Sequence, residues 1–403
     1  MKMISDFQQI LSTNVKGMKR SAIRELLKLT GDPEIISFAG GLPSPDSFPI
    51  EQLKEIVNEV LDEDGALALQ YGATEGDKKL RELLVAHYQS EGFDITLDNI
   101  MITTASQQGL DLLAKVFIDR GDKIIVGLPS YLGGLSAFNS YGAVPVGIKF
   151  DDKGMRADML EATLAEMKEK GEKPKFIYII PDFQNPAGVT MPECRRKEII
   201  AIAKKYDVLI VEDSPYKELR FEGEHQKTLF ALDNSGHVIT LGTFSKIFVP
   251  GFRIGWVIAH PEVLDKFVVA KQATDLCTSP FVQKISAKYL EKGYYAQNLK
   301  KTIAMYKEKK DVMMKAFDEY MPEGVTWTRP EGGLFLFLNL PEHMDSEELF
   351  MEALKEKVAF VIGHVFHCDG SGKNTMRINF SYATKEQIVE GVKRLANAIK
   401  KSM

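Results

Sequence analysis

Three apolar runs, each closed by a chemically capable polar residue, constrain this chain more than any other feature. Phe176-Ile-Tyr-Ile-Ile180 leads into Pro181-Asp-Phe-Gln-Asn185, and Val208-Leu-Ile-Val211 leads into Glu212-Asp213-Ser-Pro-Tyr216. Val238-Ile-Thr-Leu241 leads into Gly242-Thr243-Phe-Ser245-Lys246. Short apolar runs separated by segments of helical period are the pattern of a mostly parallel sheet wrapped by helices. Ligands of such open sheets bind outside the carboxyl ends of the strands. An amide, an acid with a phenol, and a lysine are therefore delivered to one edge.

The alternation extends over much of the chain. Strand candidates fall at residues 99–103, 123–127, 176–181, 208–211, 238–241 and 254–259, and helical patterns at 78–89, 107–118, 159–168 and 193–206. After Tyr295 the character changes. A long amphipathic helix at 297–320 precedes a strand at 334–340, a helix at 346–357, a strand at 375–380 and a helix at 385–401. A chain of 403 residues is too long for one ordinary core. The expected fold is α/β: a large domain over residues 50–290 with a mostly parallel central sheet, and a smaller α+β domain over 291–403. Residues 1–49 are expected to pack with the smaller domain.

Charge and cysteine usage narrow the partners. A net charge of −5 argues against nucleic acid, which needs a basic face. No stretch approaches the run of about 18 apolar residues that a membrane span needs. Residues 1–17 lack the apolar core of a signal peptide. Cys194, Cys277 and Cys368 form neither an even framework nor a C-x-x-C pair, which fits a reduced, cytoplasmic protein. Cys368 stands near His364 and His367, but no second ligand pair occurs at zinc-like spacing, so no metal is expected.

Each singled-out residue has an ordinary structural reading beside a chemical one. Lys246 alone reads equally as a solvent-facing loop residue and as a nucleophile, since desolvation is the usual route to a Schiff-base lysine. Arg253, after the constrained turn Pro250-Gly251-Phe252, faces solvent or meets a phosphate beside the hydroxyls of Thr243 and Ser245. Asp213 fits a helix N-cap or a carboxylate paired with a protonated ring nitrogen. Asn185 fits a turn before Pro186 or, with Tyr216, a donor to a ring oxygen. Ser106, opening a helix after Met101-Ile-Thr103, is a serine cap or a phosphate ligand beside free backbone N–H groups. Tyr131 lies beyond another strand end and can stack on an aromatic ring. Alternation puts Met376, Ile378 and Phe380 on a core face and Arg377 on the other, where it binds a carboxylate or meets solvent.

Together these residues resemble the class I/II aminotransferases that use pyridoxal 5′-phosphate. The matching motifs are Ser245-Lys246-(x3)-Pro250-Gly251-x-Arg253-x-Gly255-Trp256, Asn185-Pro-Ala-Gly188, Glu212-Asp213-x-x-Tyr216 and the placement of Arg377. They occur in the family's order over roughly residues 37–399. Ser37-Phe-Ala-Gly-Gly41-Leu-Pro and Ala105-Ser106-Gln107-Gln108-Gly109 are similar to the branch of 2-aminoadipate, kynurenine and aromatic aminotransferases. The resemblance implies the aspartate-aminotransferase-like fold (PLP fold type I) and Lys246 as Schiff-base lysine and proton carrier. It implies Asp213 on the pyridine nitrogen and Asn185 and Tyr216 on the ring oxygen. Ser106, Gln107, Thr243, Ser245 and Arg253 would hold the phosphate, and Tyr131 would stack on the ring. Tyr71 would reach the phosphate of a neighbouring subunit in a homodimer. Gly41, Asn185 and Arg377 would hold the substrate's α-carboxylate.

The implied reaction is a ping-pong transfer of the amino group from an aromatic, 2-aminoadipate-like or branched/aliphatic amino acid to a 2-oxo acid such as 2-oxoglutarate. By the same resemblance Arg24 approaches the substrate side chain. It shares a face with Arg20 on a helix expected over residues 19–29, where the alternative is a solvated arginine. Ala187 stands where the family often has threonine, and Thr243 where serine is commoner. Ile362-Gly363-His364 replaces the usual Pro-Gly pair before a phenylalanine, here Phe366, in a loop that bears on specificity. The rival readings are another reaction on this scaffold, a β-lyase or decarboxylase, and an aminotransferase-like regulatory domain. Residues before Ser37 are too few for the DNA-binding domain such a regulator carries, so an enzyme is expected.

Overall fold

The computed structural model describes residues 9–18, 33–233 and 235–403. After a short β1 (Ile36–Ser37), the strands of one large sheet follow in chain order: β2 (Ile100–Thr104), β3 (Lys123–Leu128), β4 (Val144–Asp151), β5 (Gly154–Met155), β6 (Phe176–Ile179), β7 (Leu209–Asp213), β8 (Val238–Thr243) and β9 (Ile254–Ile258). Their spatial order is β2-β9-β8-β7-β6-β3-β4-β5. From β4 to β8 neighbours run parallel, whereas β9 is antiparallel to both β8 and β2. The sheet is mostly parallel, as the sequence pattern implies.

Helices on both faces explain why β6, β8 and β9 are buried at every residue. Alternate residues of β6 enter different cores: Phe176 and Tyr178 join one apolar cluster, Ile177 and Ile179 another. The helices are closed locally. Asp77 accepts from the Leu80 N–H at the head of Lys78–Ser90, and Asp207 ends Glu193–Tyr206 in the left-handed conformation, φ 52°.

A second, smaller sheet follows the helix Tyr294–Tyr320. It consists of β10 (Thr326–Trp327), β11 (Phe335–Asn339), β13 (Val361–Ile362) and β14 (Thr375–Asn379), antiparallel in the order β10-β11-β14-β13. Between them β12 (Val358–Ala359) pairs in parallel with β1, so Ile36 stands opposite Val358. The closing helix, Lys385–Ser402, carries a capping box in which Thr384 and Gln387 satisfy each other's backbone N–H.

The smaller sheet is fastened to the larger just before β11. Gly333 N–H donates to Leu219 O at 2.9 Å, and the Glu331 carbonyl accepts from Phe221 and Glu222. Arg220 reaches Glu331 at 2.6 Å and lies over the Phe183 ring.

Two differences from the sequence pattern stand out. The strands β4 and β5 lack a sequence signal, because Pro145 and Gly147 interrupt β4 and only Ile148 within it is fully buried. The helix Ala105–Phe117 begins two residues before the apolar periodicity does, which puts Ser106 in its first turn instead of at the cap. Among the described residues no helix is long and apolar enough to cross a membrane.

The fastening allows a paired stability test. A Cβ at Gly332 would stand 2.3 Å from Leu219 O, a backbone atom with no room to give. Gly332→Ala should therefore cost about 1–3 kcal/mol. At Gly65, inside the helix Ile50–Ala68, a Cβ meets nothing within 4 Å. Gly65→Ala should add up to about 1 kcal/mol. Denaturant midpoints of the two variants should move in opposite directions, and equal shifts would contradict the packing described.

Candidate active site

The carboxyl ends of β6, β7 and β8 open on one cleft. Its walls include Ser106, Gln107, Tyr131, Asp213, Tyr216, Thr243, Ser245, Lys246 and Arg253, all singled out from sequence. Lys246 follows the end of β8, and its amine donates to the Gly41 carbonyl at 2.9 Å. Burial, helped by the positive charges of Arg377 and Arg253, pulls its pKa down to about 8. The amine is thus a nucleophile at mildly alkaline pH.

Asp213, the last residue of β7, is buried. Its Oδ2 accepts from the Tyr178 hydroxyl at 2.8 Å, while Oδ1 is buried without a partner. Burial raises the carboxyl to about 7, against the opposing hydrogen bond from Tyr178.

A chain of neutral and cationic donors runs from Tyr216 at the cleft wall to two buried residues outside that lining, Asn185 and Arg377. Asn185 donates to Tyr216 Oη at 3.2 Å and accepts from Arg377 at 3.0 Å. Arg377 also donates to Ala39 O at 2.8 Å and lies against the rings of Phe335 and Phe366. It sits on the face of β14 opposite Met376 and Ile378, as alternation requires, yet it is only 2% exposed. Both faces of this strand are covered, which removes the solvent-facing reading. Burial lowers Arg377 to about 10, so its charge survives at neutral pH. Burial also pushes the Tyr216 phenol up, which keeps it protonated.

Beside these groups lies a cradle suited to an anion. The Thr243 hydroxyl lies 2.9 Å from Ser245 Oγ and accepts from the Ser245 N–H at 3.1 Å, and Arg253 reaches Ser245 Oγ at 3.4 Å. Arg253 adopts φ 54° after the turn Pro250–Phe252, and its carbonyl accepts from the Ala105 N–H at 2.9 Å. That bond brings the arginine to the head of the helix Ala105–Phe117, whose cap residue Thr104 makes no side-chain bond to it. Free helix N–H groups, hydroxyls and a guanidinium thus face one point. Gly255 is required for this approach, since a Cβ there would lie 2.6 Å from Ser106 N. From the other side the fully buried Lys271 donates to Gln108 Oε1 at 2.9 Å, which in turn accepts from Thr104 N–H at 2.8 Å.

Not every expected residue joins the cleft. Tyr71 is 80% exposed and outside it. Arg20 and Arg24 lie outside the described residues. In the loop near Cys368, His367 Nδ1 lies 3.0 Å from the Gly363 carbonyl oxygen. Among the described residues the close-set group of possible metal ligands is elsewhere, at His87, Glu91 and Glu218, where Lys217 already ion-pairs with Glu91. Sequence reasoning missed Tyr178, Ala39 and Phe335. Tyr178 pairs in register with Val211, two residues before Asp213 on the same face of the sheet, a relation that appears only once the β6–β7 register is known.

The unpartnered Asp213 oxygen, the softened lysine and the anion cradle fit a ring with a basic nitrogen, an aldehyde and a phosphate. Such a site on such a sheet defines a pyridoxal-phosphate enzyme of aspartate-aminotransferase architecture. The family model for aminotransferases of class I and II matches residues 33–395, and the chain belongs to that family. Aromatic-amino-acid aminotransferase 1 of Thermococcus litoralis is 50% identical over 400 residues, covering 99% of this chain and 96% of the relative. The crystal structure of Pyrococcus horikoshii kynurenine aminotransferase superposes with a TM-score of 0.96 at 46% identity, covering 99% of both chains. That of the α-aminoadipate aminotransferase LysN from Thermus thermophilus gives 0.91 at 38% identity, covering 98% of both. The protein is a pyridoxal-phosphate-dependent aminotransferase, with amino acids and 2-oxo acids as its substrates.

Only a neutral amine adds to an aldehyde. Uptake of pyridoxal phosphate by the cofactor-free protein should therefore rise through pH about 8, well below the ordinary lysine range. Borohydride reduction and peptide mapping should place the adduct on Lys246. Uptake that keeps climbing above pH 10, or an adduct on another lysine, contradicts the assignment.

Proposed function

We propose that the protein catalyses ping-pong transamination, taking amino groups from aromatic, 2-aminoadipate-like and branched or aliphatic amino acids and passing them to a 2-oxo acid such as 2-oxoglutarate. One observation carries this reading. Lys246 donates to the Gly41 carbonyl and Arg377 to the Ala39 carbonyl, so amine and guanidinium converge on one short stretch of chain. An α-carboxylate on Arg377 brings the adjacent carbon to Lys246.

When bound, the cofactor supplies an electrophilic carbon and a conjugated ring able to take up the electron pair released at the substrate's α-carbon. Asp213 Oδ1 would accept from its protonated ring nitrogen, Tyr216 and Asn185 would donate to its ring oxygen, and Tyr131 would stack on the ring. Ser106, Gln107, Thr243, Ser245 and Arg253 would hold its phosphate. Arg377, with Asn185 and Gly41, orients the carboxylate. Lys246 Nζ then removes the α-carbon proton and later returns one. Residues 50–290 act as the cofactor domain, and residues 291–403 with the strand Ile36–Ser37 form a smaller domain that carries Arg377, whereas Asn14, in the short helix Thr13–Gly17, accepts from Arg120 of the larger one.

Donor breadth is supported by the names of the relatives, which are aromatic-amino-acid, kynurenine and α-aminoadipate aminotransferases. A cytoplasmic location is supported by the three free cysteines, and a homodimer by the surface near Tyr71. Leu67, Leu69 and Tyr71 are 66%, 73% and 80% exposed, an apolar run that a second subunit would cover. Tyr71 would then reach the partner's phosphate, and Arg24 the substrate side chain.

A panel of amino donors against 2-oxoglutarate, pyruvate and aromatic oxo acids tests the reaction. In Arg24→Ala, kcat/KM for 2-aminoadipate and glutamate should fall at least about tenfold more than for phenylalanine or leucine, as loss of a charge-assisted contact predicts. Equal losses would show that Arg24 does not read the side chain. Sedimentation should give a dimer at assay concentration, and Tyr71→Phe should weaken retention of the cofactor about tenfold. An active monomer contradicts the shared site.

A further inference from the structure

The Asp213 carboxyl group is held from behind by one residue that does not line the cleft. Tyr178, on the neighbouring strand β6, is buried at 2% exposure and donates its hydroxyl to Oδ2 at 2.8 Å. The sheet fixes this pairing. Tyr178 stands opposite Val211, so Asp213 is its diagonal neighbour on the same face. Its ring is boxed in as well: Phe138 meets it edge-on at 5.3 Å, and a Cβ at Gly134 would lie 3.1 Å from it. The hydroxyl therefore cannot swing away, and burial pushes the phenol far up, so it stays a donor. With Oδ2 occupied, Oδ1 is left buried and without a partner.

We propose that Tyr178 is the positioning residue of the cofactor site, pinning Oδ2 of Asp213 so that Oδ1 is presented as the fixed acceptor for a protonated ring nitrogen. This rests on the reading of Asp213 given above. The residue also governs the charge of that acceptor. The other ionisable groups facing it are the phenols of Tyr131 and Tyr216, both kept protonated by burial, while Lys246 and Arg253 line the same cleft. Neither cation bonds to the carboxylate; the Tyr178 hydroxyl is the group that opposes its desolvation. Removing that hydroxyl strips the charged form of its support, so the carboxylate should form only at higher pH.

The test uses Tyr178→Phe, which keeps the ring and deletes the oxygen. Carboxyl infrared spectra of the cofactor-free protein are titrated, with Asp213→Asn as the reference that isolates the Asp213 band. The band should titrate near pH 7 in the parent protein. In Tyr178→Phe it should move up by about one unit or more, a tenfold change in proton occupancy. A ring-fluorinated tyrosine at position 178 is a stronger donor of the same shape and should move it down. The second readout is cofactor affinity, which should fall in Tyr178→Phe most strongly below pH 7 and recover as the pH rises. An unmoved band in both variants, with folding intact by circular dichroism, overturns the role of Tyr178 while leaving Asp213 in place. Parent-like cofactor affinity in Asp213→Asn overturns both.

Discussion

Three ionisable groups at or beside one cleft, the part-buried Lys246 and the buried Asp213 and Arg377, have no counter-charge bonded to them, and the rest of the site follows from that. Lys246 bonds to a carbonyl, Asp213 to a phenol, and Arg377 to an amide, a carbonyl and two ring faces. Among the described residues outside the cleft some buried charges are paired, as Arg196 with Asp182 or Lys271 with Asp275, both at 2.7 Å, and others rest on neutral partners, as Glu212 on the Leu229 and Phe230 N–H groups. An unpaired buried ion costs several kcal/mol, and each of the three responds as desolvation requires: the acid rises, the bases fall. In the function proposed, the compensation would come from the ligands: a protonated ring nitrogen and a substrate carboxylate would bring the charges that Asp213 and Arg377 lack, so binding would relieve a cost built into the folded chain.

Sheet direction makes the convergence possible. Parallel neighbours end at the same edge, about 5 Å apart, so residues following β6, β7 and β8 meet although dozens of positions separate them. The antiparallel strand β9 adds the opposite end of a strand: it starts at that edge, and the residue before it, Arg253, falls beside Ser245. The strand β2, antiparallel to β9, regains the common direction and ends at Thr104, so the helix Ala105–Phe117 begins where the cradle needs its N–H groups. One reversed strand thus assembles the anion site from both sides.

How far this was legible in the sequence depended on whether a signal was local. The runs ending in Asn185, Asp213 and Lys246 declare their strands and their edge, because burial on both faces makes parallel strands continuously apolar. The outer strand β4 does not, since Pro145, Gly147 and partial exposure erase the pattern. Arg377 was placed on the correct face, but its burial was invisible: what covers it, Phe335 and Phe366, comes from β11 and from the loop before β14. Tyr178 looked like one more core aromatic, and only register reveals its bond to Asp213. Composition could not expose these relations because each is a contact between separate elements of the chain.

The loop that departs from the family pattern is held by Phe366. Phe366 contributes its ring to Arg377 and its carbonyl to the Ser130 N–H at 2.8 Å, next to Tyr131. One buried residue thereby fixes the guanidinium and steadies the segment that presents the aromatic face. The flanking Val365 and His364 are half-buried and make neither contact. If this loop faces the substrate side chain, as the resemblance implies, substitution around Phe366 would alter what that side chain meets without displacing Arg377. The proposed carboxylate seat and side-chain wall would then be separable, and a single arrangement of Lys246, Asp213 and Arg377 would serve donors of unlike side chain.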